Sequence, residues 1–202
     1  MEVELTDWKG KAPAGDPSLD DQEVRRVYLK PAELVVCRKP HFVTTLLGSC
    51  VAVVFWLPVS RAGAVCHAML PHREDSDDNP FRYVDTSIHH IVKSLRIGSL
   101  RKGDVVTKLF GGAELIGVGL AQVGPMAQAI GQNNVRAAQR ILGELGIPPV
   151  VAEVGGTEGY KLHVRTDTGE VYLKRLSTAL LTMATENRKR ANGPTRRTER
   201  RR

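Results

Sequence analysis

The chain has 202 residues, 42 % apolar and 25 % charged, the composition of a folded domain rather than a disordered one. No apolar run approaches the ~20 residues that a membrane-spanning helix needs. The N-terminus lacks a basic stretch followed by an apolar one, so neither membrane insertion nor secretion is expected, and a cytoplasmic location is. The formal net charge of +7 is carried by residues 188–202, RKRANGPTRRTERRR, while the remainder is balanced. The folded body is therefore not expected to bind nucleic acid, and the basic segment reads as a disordered tail.

Residues 1–30, with Gly10, Pro13, Gly15 and Pro17 among acidic side chains, read as a flexible leader ending in a short helical turn. A strand is expected over Glu33–Cys37, after Pro31. Val51–Leu57 (VAVVFWL) is a continuous β-branched and aromatic run, the pattern of a buried strand. Pro58–Gly63 supplies a turn, and Ala64–Leu70 a second strand. The polar stretch Pro71–Pro80 is a loop.

From Tyr83 to Leu100 the positions Val84, Ile88, Ile91, Val92 and Leu95 recur at helical spacing. Val105–Phe110 is a strand closed by Gly111-Gly112. Asn133–Leu145 is an amphipathic helix whose inner stripe is Val135, Ala138, Ile141, Leu142 and Leu145, ended by Gly146 and Pro148. Strands follow at Pro149–Val154 and Lys161–Arg165, and Glu170–Leu173 pairs back across Asp167-Thr168-Gly169 as a hairpin. A last helix runs from Ser177 to about Arg190. Hairpins mixed with scattered helices predict an α+β fold rather than a doubly wound parallel sheet. The domain is expected over 31–187, between the leader and the tail at 188–202.

Three cysteines, Cys37, Cys50 and Cys66, are an odd number in a chain without an export signal, and no CxxC pair exists. Neither a disulfide framework nor structural zinc is expected. Cys37 and Cys66 read as buried small hydrophobes.

Cys50 differs, because it follows Gly48-Ser49 at the mouth of the apolar strand. Glycine lets the backbone bend there, and peptide N–H groups around Gly48 and Ser49 are placed to act as an oxyanion hole. If the strands pair about Pro58–Arg61, position 50 faces 69. His67 is then one diagonal step away on the same face, and Cys66 points to the other; a loop longer by one residue would reverse this parity. A thiol beside an imidazole is a nucleophile with its own base and acid. The imidazole needs an orienting hydrogen bond, which Thr44 or Thr45 on the entering strand can supply.

The segments TTLLGSCVAV (44–53), HAMLP (67–71), KLFGGA (108–113), Ile130-Gly131 with Asn134-Val135, and Val154-Gly155-Gly156 occur in that order. Together they resemble the CheD family of bacterial chemotaxis, the chemoreceptor glutamine deamidases, over roughly residues 30–175. The resemblance implies a fold similar to the catalytic domain of cytotoxic necrotizing factor toxins, with packed mixed β-sheets flanked by helices. It implies Cys50 as nucleophile, His67 as base and acid, and Thr44, six residues before the cysteine, as the residue holding His67. It also implies hydrolysis of glutamine side-chain amides in methyl-accepting chemotaxis receptors, with receptor methylesterase activity as a side reaction and no metal or organic cofactor. A CheC-type response-regulator phosphatase is an implied partner, and a non-catalytic adaptor role is the alternative. Two departures stand out: Ala68 where the family commonly has Phe, and Tyr160 where it commonly has Arg.

The glycines Gly111, Gly112, Gly117, Gly119 and Gly124 do not form a phosphate-loop spacing. His89-His90 and the His72–Asp78 acidic loop read as solvated surface.

Overall fold

The structure, a computed structural model, describes residues 6–7, 24–73, 78–99, 103–114 and 130–177. The basic tail, the last helix beyond Ser177, Gly117, Gly119, Gly124 and most of the leader lie outside the described residues.

Ten strands are described: β1 (Thr6–Asp7), β2 (Arg25–Tyr28), β3 (Glu33–Cys37), β4 (His41–Leu47), β5 (Val51–Leu57), β6 (Ala62–Ala68), β7 (Val106–Gly111), β8 (Val151–Val154), β9 (Gly159–Arg165) and β10 (Val171–Leu176). They form two five-stranded sheets of order β1-β10-β9-β4-β2 and β3-β6-β5-β7-β8. Both are mixed: β1/β10, β2/β4 and β7/β8 pair in parallel, and the other pairs are antiparallel. Two α-helices among the described residues, α1 (Val84–Ser94) and α2 (Ile130–Glu144), pack with the sheets in an α+β fold.

Strand alternation explains the layering. On β5, Ala52 and Val54 join Val43 and Leu47 of β4 and Leu162 and Val164 of β9 in the core between the sheets. Val51, Val53, Phe55 and Leu57 face the other way, onto Ile88, Ile91, Ile141 and Leu142 of the two helices. A strand covered on both faces must be apolar at consecutive positions, as VAVVFWL is.

The turn after Leu57 sets Val51 opposite Ala68 and Ala52 opposite His67, the register expected from the sequence. The second strand of that hairpin nevertheless begins and ends two residues early, at Ala62 and Ala68. The hairpin across 167–169 also forms, with Val171 opposite Val164.

Two expectations need correction. Arg25–Tyr28 is a strand paired in parallel with His41–Thr44, so ordered structure begins before residue 31. Its two arginines hide it from an apolar-pattern reading because it is an outer strand with an exposed start. Leu145, just past the end of α2, is 38 % exposed; the buried stripe keeps Ala138, Ile141 and Leu142 and adds Gly131, Asn134 and Ala137.

Candidate active site

Gly48, Ser49 and Cys50 carry the chain from β4 in one sheet to β5 in the other. All three carbonyls of this connection are held. Ala113 N–H donates to Gly48 O (2.8 Å), and Gly112 N–H to Cys50 O (2.8 Å). Asn134 Nδ2 donates to Ser49 O (3.0 Å). Gly111 makes the approach possible: its φ is +104°, and a Cβ there would stand 2.3 Å from the Cys50 carbonyl oxygen. Only glycine satisfies both conditions.

Because Ala52 faces the space between the sheets, Cys50 lies on that side too, packed against the inter-sheet core. His67 shares the face with Val65 and is 1 % exposed. By register Cys50 is one diagonal step from His67, the neighbour relation that long side chains span. Cys66, 0 % exposed, faces the helices instead, and Cys37 is buried as well.

The hydroxyl bonded to His67 is that of Thr45 and not the expected Thr44. Thr45 Oγ1 stands 2.8 Å from His67 Nδ1, whereas Thr44 Oγ1 stands 2.9 Å from His163 Nδ1. Val43, Thr45 and Leu47 point between the sheets, so Thr44 points out. Counting back from the cysteine misses this because the intervening Gly-Ser-Cys connection is not strand and does not preserve the two-residue alternation.

Thr45 also fixes the imidazole tautomer. Its single hydroxyl proton goes to Leu29 O (2.9 Å), so toward His67 the oxygen accepts, and the Nδ1–H of His67 donates. The lone pair is then on Nε2, which is buried and has no hydrogen-bond partner among the described residues. A base of this kind, held at one nitrogen and open at the other, suits proton transfer with a thiol.

Burial pushes the Cys50 thiol up to about 11, against a weaker lowering by its own backbone N–H. Burial also pushes His67 down to about 4, against a weaker raising by the Leu29 backbone. Both shifts favour neutral partners, so the resting site at pH 7 is thiol and imidazole, not a standing ion pair. Alkylation of Cys50 by iodoacetamide is therefore expected to accelerate about tenfold per pH unit between pH 7 and 10. A rate already level from pH 5 upward would mean a preformed thiolate instead.

Elsewhere, His72 Nδ1 lies 3.6 Å from Asp85, and His89 and His90 are exposed on α1. Among the described residues no cluster of three or more His, Cys, Asp or Glu is placed to hold a metal ion. None of their helices is long and apolar enough to cross a membrane.

The fold and these residues define the class: a two-sheet α+β protein whose inter-sheet face carries a threonine-bonded histidine one diagonal step in register from a cysteine. The family model described as CheD chemotactic sensory transduction matches residues 69–175. The Maridesulfovibrio salexigens protein named "Probable chemoreceptor glutamine deamidase CheD" is 42 % identical over 164 residues, covering 78 % of this chain and 95 % of its own. The Geobacter sulfurreducens protein named "Probable chemoreceptor glutamine deamidase CheD 2" is 42 % identical over 151 residues, covering 75 % and 90 %. A Neisseria meningitidis crystal structure described by the family model DUF152 superposes with a TM-score of 0.40 and 16 % identity, covering 66 % of this chain and 65 % of that one. The chain belongs to the CheD family.

Sequence reasoning missed Asn134 as a contact of the Gly48–Cys50 connection. A signal was present: Asn134 lies three residues after Gly131 and four before Ala138, on the stripe that α2 buries.

Proposed function

We propose that the protein is a chemoreceptor glutamine deamidase, with Cys50 as nucleophile, His67 as base and acid, and Thr45 holding His67. The observation that carries this reading is the buried Thr45–His67 bond, which leaves an unpartnered Nε2 on the face shared with the thiol.

His67 Nε2 takes the Cys50 proton as sulfur attacks the glutamine δ-carbonyl, and the oxyanion rests on backbone N–H groups of the Gly48–Cys50 connection. The C–N bond breaks, and His67 returns the proton to the departing ammonia. Water then gives a proton to His67 and attacks the thioester, releasing glutamate and the thiol. A γ-glutamyl methyl ester presents the same carbonyl with methanol as leaving group, so receptor methylesterase activity belongs to the same proposal. The mechanism draws on side chains and backbone alone, and a cytoplasmic setting goes with this substrate.

Docking to a CheC-type phosphatase is a second, separable role, since removing one thiol leaves a docking surface intact. The test is ammonia release from a purified chemoreceptor cytoplasmic domain. Release with the wild type and none with Cys50→Ala supports the reading. No release from several receptors overturns it in favour of the adaptor role.

A further inference from the structure

Asn134 sits on α2 in the helical layer, yet its side chain reaches the nucleophile's connection. It is 0 % exposed. Its Nδ2 donates to Ser49 O (3.0 Å) and to Met69 O (2.9 Å). These carbonyls flank the point where β5 begins and β6 ends, at the register of Cys50 opposite Met69. The amide's orientation is unambiguous, because two carbonyl acceptors demand the NH₂ group. Its Oδ1 is buried with no hydrogen-bond partner among the described residues, an arrangement that costs stability. A residue selected for packing alone has no need of that cost.

The Ser49 carbonyl belongs to the same peptide unit as the Cys50 N–H, and no described peptide is cis. In a trans peptide the two groups point in opposite directions. Holding Ser49 O toward α2 therefore aims the Cys50 N–H away from the helices, toward the inter-sheet side where the thiol and His67 lie. The lowering of the Cys50 pKa by its own N–H fits that direction. The neighbouring carbonyls of Gly48 and Cys50 are held by backbone donors, so the central peptide of the connection is the one whose orientation depends on a side chain.

We infer that Asn134 is a positioning residue: by fixing the Ser49–Cys50 peptide and tying it to Met69, it aims the Cys50 N–H at the oxyanion formed when the thiol attacks a carbonyl. The inference deepens the proposed function and rests on Cys50 being the nucleophile.

The test compares two reactions of Cys50 that differ in whether an oxyanion develops. Acylation by p-nitrophenyl acetate passes through a tetrahedral oxyanion: sulfur bonds to the acetyl carbon, p-nitrophenolate leaves, and the thiol proton passes to His67. Alkylation by iodoacetamide displaces iodide at a saturated carbon and forms none. Both rates are read on Cys50 itself by peptide mass mapping. Asn134→Ala is expected to slow acylation by about 10- to 100-fold, with alkylation within about twofold of wild type. Asn134→Ser, which keeps a small donor and a smaller cavity, is expected to fall between, and serves if the alanine variant does not fold. Acylation unchanged, or acylation and alkylation falling together, overturns the inference. Because neither reagent is a receptor, a wild type that releases no ammonia sinks the deamidase reading without deciding this one.

Discussion

Replacing His67 with alanine is expected to slow deamidation by about 10³-fold, the range for losing a side chain that serves as both base and acid. With the thiol pushed up to about 11, bulk solvent leaves almost none of it ionised at pH 7, so attack depends on His67 Nε2 receiving the proton. The variant should recover part of its activity as pH rises toward 10, because hydroxide then removes the proton that His67 no longer can. The wild type should show no comparable gain once scaled to its own neutral rate. His67 is buried, and the truncation will also lower the melting temperature. Alkylation of Cys50 at pH 10 separates the two effects: a rate near that of wild type shows that the thiol is still in place. A His67→Ala enzyme with deamidation within tenfold of wild type would remove His67 from the mechanism.

The second large effect separates two adjacent threonines. Thr45→Val keeps the shape and deletes the oxygen, leaving Leu29 O without its donor and His67 Nδ1–H without its acceptor, both buried. Loss of buried partners of this kind costs about 1–3 kcal/mol, read as a melting temperature lower by several degrees. Activity should fall further, by about 10- to 100-fold, because a free imidazole also samples the tautomer with its proton on Nε2, which cannot take a proton from sulfur. Thr44→Val removes only the contact with His163 and should leave deamidation within about threefold. The opposite ranking would restore Thr44 to the role that its distance from the cysteine suggests. Measuring kcat for both variants on one receptor domain decides between them.

That contrast shows what is legible in the chain and why. The pairing of Cys50 and His67 on one face was readable because β5 and β6 are joined by a tight turn, so the parity of one strand fixes the parity of the other. The same logic placed Cys66 on the opposite face, which the helices cover. Thr44 and Thr45 lie beyond a Gly-Ser-Cys connection that crosses between sheets, where no strand alternation carries across, and only the inter-sheet packing of Val43 and Leu47 decides which threonine points inward. The α+β class followed from hairpins mixed with scattered helices. The strand Arg25–Tyr28 did not, since an outer strand can be held by backbone hydrogen bonds and by Val27 packing on the core. Asn134 was visible as part of a motif but silent about its role: its partners are backbone carbonyls 85 and 65 residues away, and backbone acceptors leave no mark on sequence.

The claim that Cys50 is the nucleophile of a glutamine deamidase is tested most directly by mass spectrometry of a chemoreceptor cytoplasmic domain incubated with the protein and quenched in acid. The predicted result is a gain of about 1 Da at each modified glutamine, from replacing –NH₂ by –OH, together with receptor peptide held as a thioester on Cys50. Neither should be found with Cys50→Ala. The same gain from the Cys50→Ala variant, or an acyl group on any residue other than Cys50, would contradict the account.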